Sequence, residues 1–159
     1  YTGNNHVNIT NEPGTFSAGT IVSRVHGEVS STLALATASS RLEDLNLLDG
    51  LVTADVVRGA ASARVDSSGG DASFAGSRFV NLEVLGQALP QGDNVQPNTE
   101  IDIPDLGTLT LFATTSSEDG NEAHASVYMV ILEVTVANSM GLPVGSEIKL
   151  ARARADASP

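Results

Sequence analysis

TLTLFATTSSEDGNEAHASVYMVILEVTV, residues 108–136, carries the reading on which the fold class turns. Leu109, Leu111 and Ala113 alternate with Thr108, Thr110 and Phe112. A period of two is the mark of a half-buried strand. Asp119-Gly120 then supplies the strongest short hairpin signal in the chain. On the returning arm, Tyr128, Val130, Leu132, Val134 and Val136 face one way, and Val127, Met129, Ile131 and Glu133 the other. Both faces are largely apolar, which places this arm centrally in a sheet.

Working outward, the same alternation recurs. Ile21, Ser23, Val25, Gly27 and Val29 oppose Val22, Arg24, His26 and Glu28, and Leu33, Leu35 and Thr37 oppose Ala34, Ala36 and Ala38. In residues 51–66, Val57, Gly59, Ala61, Ala63 and Val65 share a face whose small side chains let a second sheet approach closely. Ser67-Ser68-Gly69-Gly70-Asp71 reads as a turn, and Gly86-Gln87 as a tight hairpin. Ile101 and Ile103 alternate with Glu100 and Asp102 up to Pro104, and residues 147–154 form a last strand with Lys149, Arg152 and Arg154 towards solvent. Residues 41–50 (RLEDLNLLDG) are the best helix candidate: Leu42, Leu45 and Leu48 would share a face, and Gly50 would stop the turn; the alternative is a strand-linking loop with buried Leu. With no helices between strands, the pattern predicts an all-β antiparallel sandwich, Ig-like or jelly-roll-like. It would have about eight to ten strands and at most one short helix.

The 159 residues fit one domain, split here into an N-terminal extension, residues 1–19, and a sandwich, residues 20–159. With 19 acidic and 8 basic residues the formal net charge is −11, which disfavours nucleic acid as a partner. Between Phe79 and Ile148 there are ten acidic residues and no Lys or Arg. No apolar run reaches the 18 or so residues of a membrane span. The absence of Cys removes disulfides, thiolate metal sites and a Cys nucleophile. Lys149 is the only lysine, and a Ser/Thr/Gly-rich surface leans extracellular. The chain starts at Tyr1 rather than Met, so either a leader has been removed or the ordered part begins here. The expectation is an exported protein, extracellular or on the cell surface after loss of a signal peptide.

Catalytic constellations do not emerge. His6, His26 and His124 lie in a tail, on an outer strand face and beside a hairpin turn, and there is no Gly-x-Ser-x-Gly elbow. Glu100 and Asp102 share a strand face, yet a glycosidase cleft without Trp is poorly furnished to stack sugar. The chain is therefore read as non-enzymatic. Glu118, Asp119, Asn121 and Glu122 form the richest cluster of oxygen ligands and are the candidate for a structural calcium site. Val7 and Ile9 alternate with His6, Asn8 and Thr10 in the extension, and are the candidate intersubunit residues of a strand donated to a neighbour.

Three stretches carry a family resemblance. LDGLVTADVV (48–57) is similar to the segment GLLTADAV, and PNTEIDIPDLGTLTL (97–111) to PNTxIDLPGLGTVTL. VYMVILEVTV (127–136), followed by Gly145-Ser146-Glu147-Ile148, resembles the same group's ending. Together they resemble the choice-of-anchor P family of bacterial surface proteins, over residues 42–154. The resemblance implies an exported, envelope-associated protein and brings no enzymatic role. The expectation is a non-catalytic structural subunit that polymerises with copies of itself by strand addition. The alternative is an adhesin or calcium-dependent, glycan-binding module.

Overall fold

The structure is a computed structural model that describes residues 16–89 and 95–158. These residues form twelve strands: β1 (Phe16–Ser17), β2 (Thr20–Val29), β3 (Leu33–Leu47), β4 (Val52–Asp66), β5 (Gly69–Ser73), β6 (Arg78–Val80), β7 (Glu83–Val84), β8 (Gln87–Ala88), β9 (Thr99–Ile103), β10 (Gly107–Glu118), β11 (Ala123–Val134) and β12 (Glu147–Ala157). An eight-stranded sheet sets β1 and β2 along one side of β3, then β4, then β5, β6 and β7 along the far side of β4, with β8 beyond β7. A four-stranded sheet runs β12-β11-β10-β9. Every pairing is antiparallel, so the fold is the sandwich that the alternation predicts. The strand count is higher because residues 78–88 break into three short pieces. Their last turn centres on Leu85 and Gly86, one residue earlier than expected, with φ of 54° and 70°. Two positive φ angles give the primed turn that matches strand twist.

The core lies between the sheets. Leu47, Val52, Val57, Leu109, Leu111, Val127, Met129, Val130 and Leu132 are fully buried. The small-residue face of β4 points inward: Gly59 sits so close to the other sheet that a Cβ there would lie 2.6 Å from the Ala151 carbonyl oxygen.

Residues 41–50 are not helical. They are the end of β3 and the tight connection to β4, with Leu48, Asp49 and Gly50 all at positive φ. The cause of the misleading spacing is Asp44, which takes φ 53° within the strand. One left-handed residue rotates the strand by half a pleat, so the inward set 34, 36, 38, 40, 42 resumes at 45 and 47. Leu42 and Leu45 thus both face the core, three residues apart, as they would on a helix. The four-stranded sheet carries a matching line. Phe112 (φ 52°) lies between the Leu111↔Val130 and Ala113↔Tyr128 pairs, and Ala151 (φ 53°) between Val130↔Leu150 and Tyr128↔Arg152. Both therefore flank Met129, and β11 buries Met129 and Val130 in succession.

β1 pairs with β3 (Phe16↔Leu47), so the sandwich includes Phe16 and Ser17, which the sequence reading assigned to the extension. Among the described residues, no helix is long and apolar enough to cross a membrane.

Candidate interface at the open side of the sandwich

The two sheets do not end together. β12 packs over β3 and β4, and β11 over β4 and β5. β2 pairs with β3 alone, and the eight-stranded sheet therefore overhangs its partner by one strand. Among the described residues, the ten of β2 and the eleven of β12 each have one unpaired edge on this side. Edges of this length are templates for another strand.

Between them lies a cleft of about 630 Å³. Phe16, Ile21, Val25, Leu42, Leu150 and Ala153 supply apolar walls. Val25, on the expected inward face of β2, is still 37% exposed, since no strand of the other sheet among the described residues packs over β2. Arg24, Lys149, Arg152 and Arg154 form a basic rim. Lys149 Nζ donates to Glu147 Oε2 at 2.7 Å, which raises its pKa, and it lies 5.8 Å from the centre of the Tyr128 ring. Arg152 lies 5.3 Å from the same ring. Arg154 Nε donates to Asp156 Oδ2 at 2.9 Å. Lys149, Arg152 and Arg154 do face solvent.

The acidic hairpin tip has a structural task. The Glu118 carboxylate accepts the Ala72 N–H of β5 at 2.9 Å, and the Asp119 carbonyl accepts that of Gly70 at 3.0 Å. The tip of one sheet is thereby tied to an edge of the other. Asp119 Oδ1 accepts the N–H groups of Asn121 (2.8 Å) and Glu122 (2.7 Å). Those hydrogen bonds hold its pKa below the usual carboxylate range, Asn121 contributing most. Asn121 and Glu122 themselves are exposed. Among the described residues, no group of three or more His, Asp or Glu converges to hold a metal ion.

Asn98 stands at φ 60°, and its side-chain oxygen accepts the Thr114 N–H at 2.9 Å, fixing β9 beside β10. Asp55 accepts from Asn81 Nδ2 at 2.6 Å. His26 is exposed, and His124 Nδ1 lies 2.6 Å from Asp156 Oδ1. Val7 and Ile9 lie outside the described residues. The overhang of β2 was missed from sequence. Alternation tells which face a side chain takes, not which strand of the other layer covers it.

Three lowered carboxylates define an acid limit. Asp156 is held down by hydrogen bonds from Arg154 first and then His124, and Asp66 by those from Ser68. A depressed folded pKa contributes stability that is complete above the unfolded value and disappears as pH falls through the folded one. The melting temperature is therefore expected to drop as pH goes below about 4. Asp119→Asn should flatten part of that drop in thermal melts. A melting temperature unchanged down to about pH 2 would contradict this account.

Compared with protein families, curated proteins and solved structures, the chain matches none.

Proposed function

We propose that this protein is an exported, non-catalytic structural subunit of the cell surface, and that copies of it join by strand addition. The observation that carries the reading is the overhang of β2 beside the free edge of β12. A strand added along β12 would extend the four-stranded sheet by one and cover Ile21 and Val25. The occupant is the segment around Val7 and Ile9 of a second copy, whose alternation offers two apolar side chains to the cleft. The fifteen residues before β1 have a reach of at most roughly 50 Å. β1 runs in line with β2 along β3, so the chain joins this edge from beyond the Leu47 end. A segment ahead of β1 must double back to fill its own cleft, and a neighbour's cleft avoids that reversal. Such a contact is heterologous, so it propagates instead of closing.

The likeness to choice-of-anchor P proteins supports export and a place at the cell surface. One detail strengthens it. Asp105 stands where that family's segment has Gly, and it adopts φ 57° as the third residue of the turn from Ile103 to Leu106. With Pro104 second, this is the turn type that favours Gly there.

The test is electron microscopy of the full chain beside a variant lacking residues 1–15 and a Val7→Asp/Ile9→Asp variant. Wild-type material is expected to form filaments, and both variants to remain folded monomers. Filaments of normal length from either variant would remove strand donation by this segment.

A further inference from the structure

On the outer face of the eight-stranded sheet, three arginines stand in one row. Arg41 on β3 is directly opposite Arg58 on β4, and Arg58 is directly opposite Arg78 on β6. Their Cα atoms are therefore spaced at about 4.5–5.5 Å. Like charges placed directly opposite each other destabilise a sheet. Arg41 has a partner, Glu43 at 2.6 Å. Among the described residues, Arg58, Arg78 and the nearby Arg24 have no ion-pair partner, and Asp55 on the same strand already accepts from Asn81. Arg24, His26 and Arg58 line one shallow cleft of about 580 Å³, otherwise walled by Val25 and by Ser, Thr and Ala. In a chain of net charge −11, two of the three arginines in this row thus stand without a counter-charge among the described residues. Guanidinium groups present fixed forks suited to carboxylates.

We infer that this row binds the acidic β9 edge of a second copy, as a lateral contact between assembled chains. Among the described residues β9 is the other free edge of the four-stranded sheet, and its Glu100 and Asp102 are exposed, followed by exposed Asp105 in the turn. Glu100 and Asp102 are two residues apart, about 6.8 Å along the strand, a difference of an ångström or two from the arginine spacing that the long guanidinium stems can take up. No Lys or Arg lies between Phe79 and Ile148 to neutralise that edge from within its own stretch. A polyanion is the weaker match, because the net charge of −11 repels a long anionic polymer. A short acidic edge on another copy avoids most of that repulsion. Each exposed ion pair is weak alone, but pairs repeated along a filament multiply through effective concentration.

The inference rests on the reading that copies associate, but its contact differs from the β2–β12 cleft, so the two fail separately. The experiment compares wild type, Arg58→Glu/Arg78→Glu, Glu100→Lys/Asp102→Lys and the fourfold combination, all as full chains. Lateral association is read by light scattering and microscopy from about 20 mM to 500 mM salt. Wild-type filaments are expected to bundle at low salt and separate at high salt. Each double variant should form single filaments, with association weakened about tenfold or more, and the fourfold variant should bundle again. If no filaments form, the same comparison is made by sedimentation mass. Salt-sensitive association that requires Arg58 and Arg78 then supports the contact, and its absence overturns it. Bundling by Arg58→Glu/Arg78→Glu at the wild-type level overturns it, as does failure of the fourfold variant to recover. Binding of alginate or heparin at about 150 mM salt that is lost in Arg58→Glu/Arg78→Glu would assign the row to a polymer instead. Arg58→Gln/Arg78→Gln serves as the milder variant should charge reversal impair folding.

Discussion

Gly107→Ala is expected to destabilise the protein by about 3–5 kcal/mol. Gly107 opens β10 and is paired on both sides, with Ile103 of β9 and Val134 of β11. A Cβ at this position would lie 1.9 Å from the Glu133 carbonyl oxygen and 2.8 Å from the Thr135 nitrogen. Both are backbone atoms, so no side-chain rotation relieves the clash. The φ of 155° adds strain for any residue with a Cβ. Relief requires β10 and β11 to part at the pair that starts their ladder. In a domain of this size the loss corresponds to a fall in melting temperature of roughly 6–20 °C. A change below about 1 kcal/mol in urea unfolding would show that the strand start yields easily.

Gly59→Val should cost about 2–4 kcal/mol, for a reason that lies between the layers and not within one. The new Cβ would meet the Ala151 carbonyl oxygen at 2.6 Å and the Met129 side chain at 3.2 Å. Methionine is flexible and can yield, but the carbonyl belongs to β12 at its left-handed residue and can retreat only with the strand. The variant therefore pushes β12 away from β4, and with it one wall of the cleft. Urea unfolding should give a lower midpoint at an unchanged slope. The same variant should assemble poorly even at temperatures where it remains folded. Wild-type stability would mean that the sheets are free to separate at this point.

The fold class was legible because burial on one face writes period two directly into the chain. Residues 108–111 and 123–127 illustrate it, whereas the two faces expected for the returning arm exchange at Met129 and Val130, which are both buried; Gly59, Ala61 and Ala63 correctly announced close sheet packing. The helix expected over residues 41–50 failed at one residue. A left-handed Asp44 converts a spacing of two into three, and periodicity cannot tell that from a helical turn. The acidic tip was legible as carboxylates, but not as a tie. The amide that Glu118 accepts from comes from Ala72, far earlier in the chain. The arginine row was invisible for the same reason: Arg41, Arg58 and Arg78 meet only through strand register. The cleft depends on one layer being a strand wider than the other, which no local pattern encodes.

The left-handed residues have a mechanical consequence. Each kink acts as a tooth on a ratchet bar. For β12 to slide one residue along β11, Ala151 would leave its place beside Met129, and every side chain beyond it would change faces. β3 is locked to β4 in the same way by Asp44. A load applied along the strands would therefore be resisted by positional interlocks as well as by the hydrogen-bond ladder. Yielding would come by abrupt rupture of a whole strand pair, not by gradual creep. A force-extension trace of such a subunit should show one sharp peak per domain and no plateau.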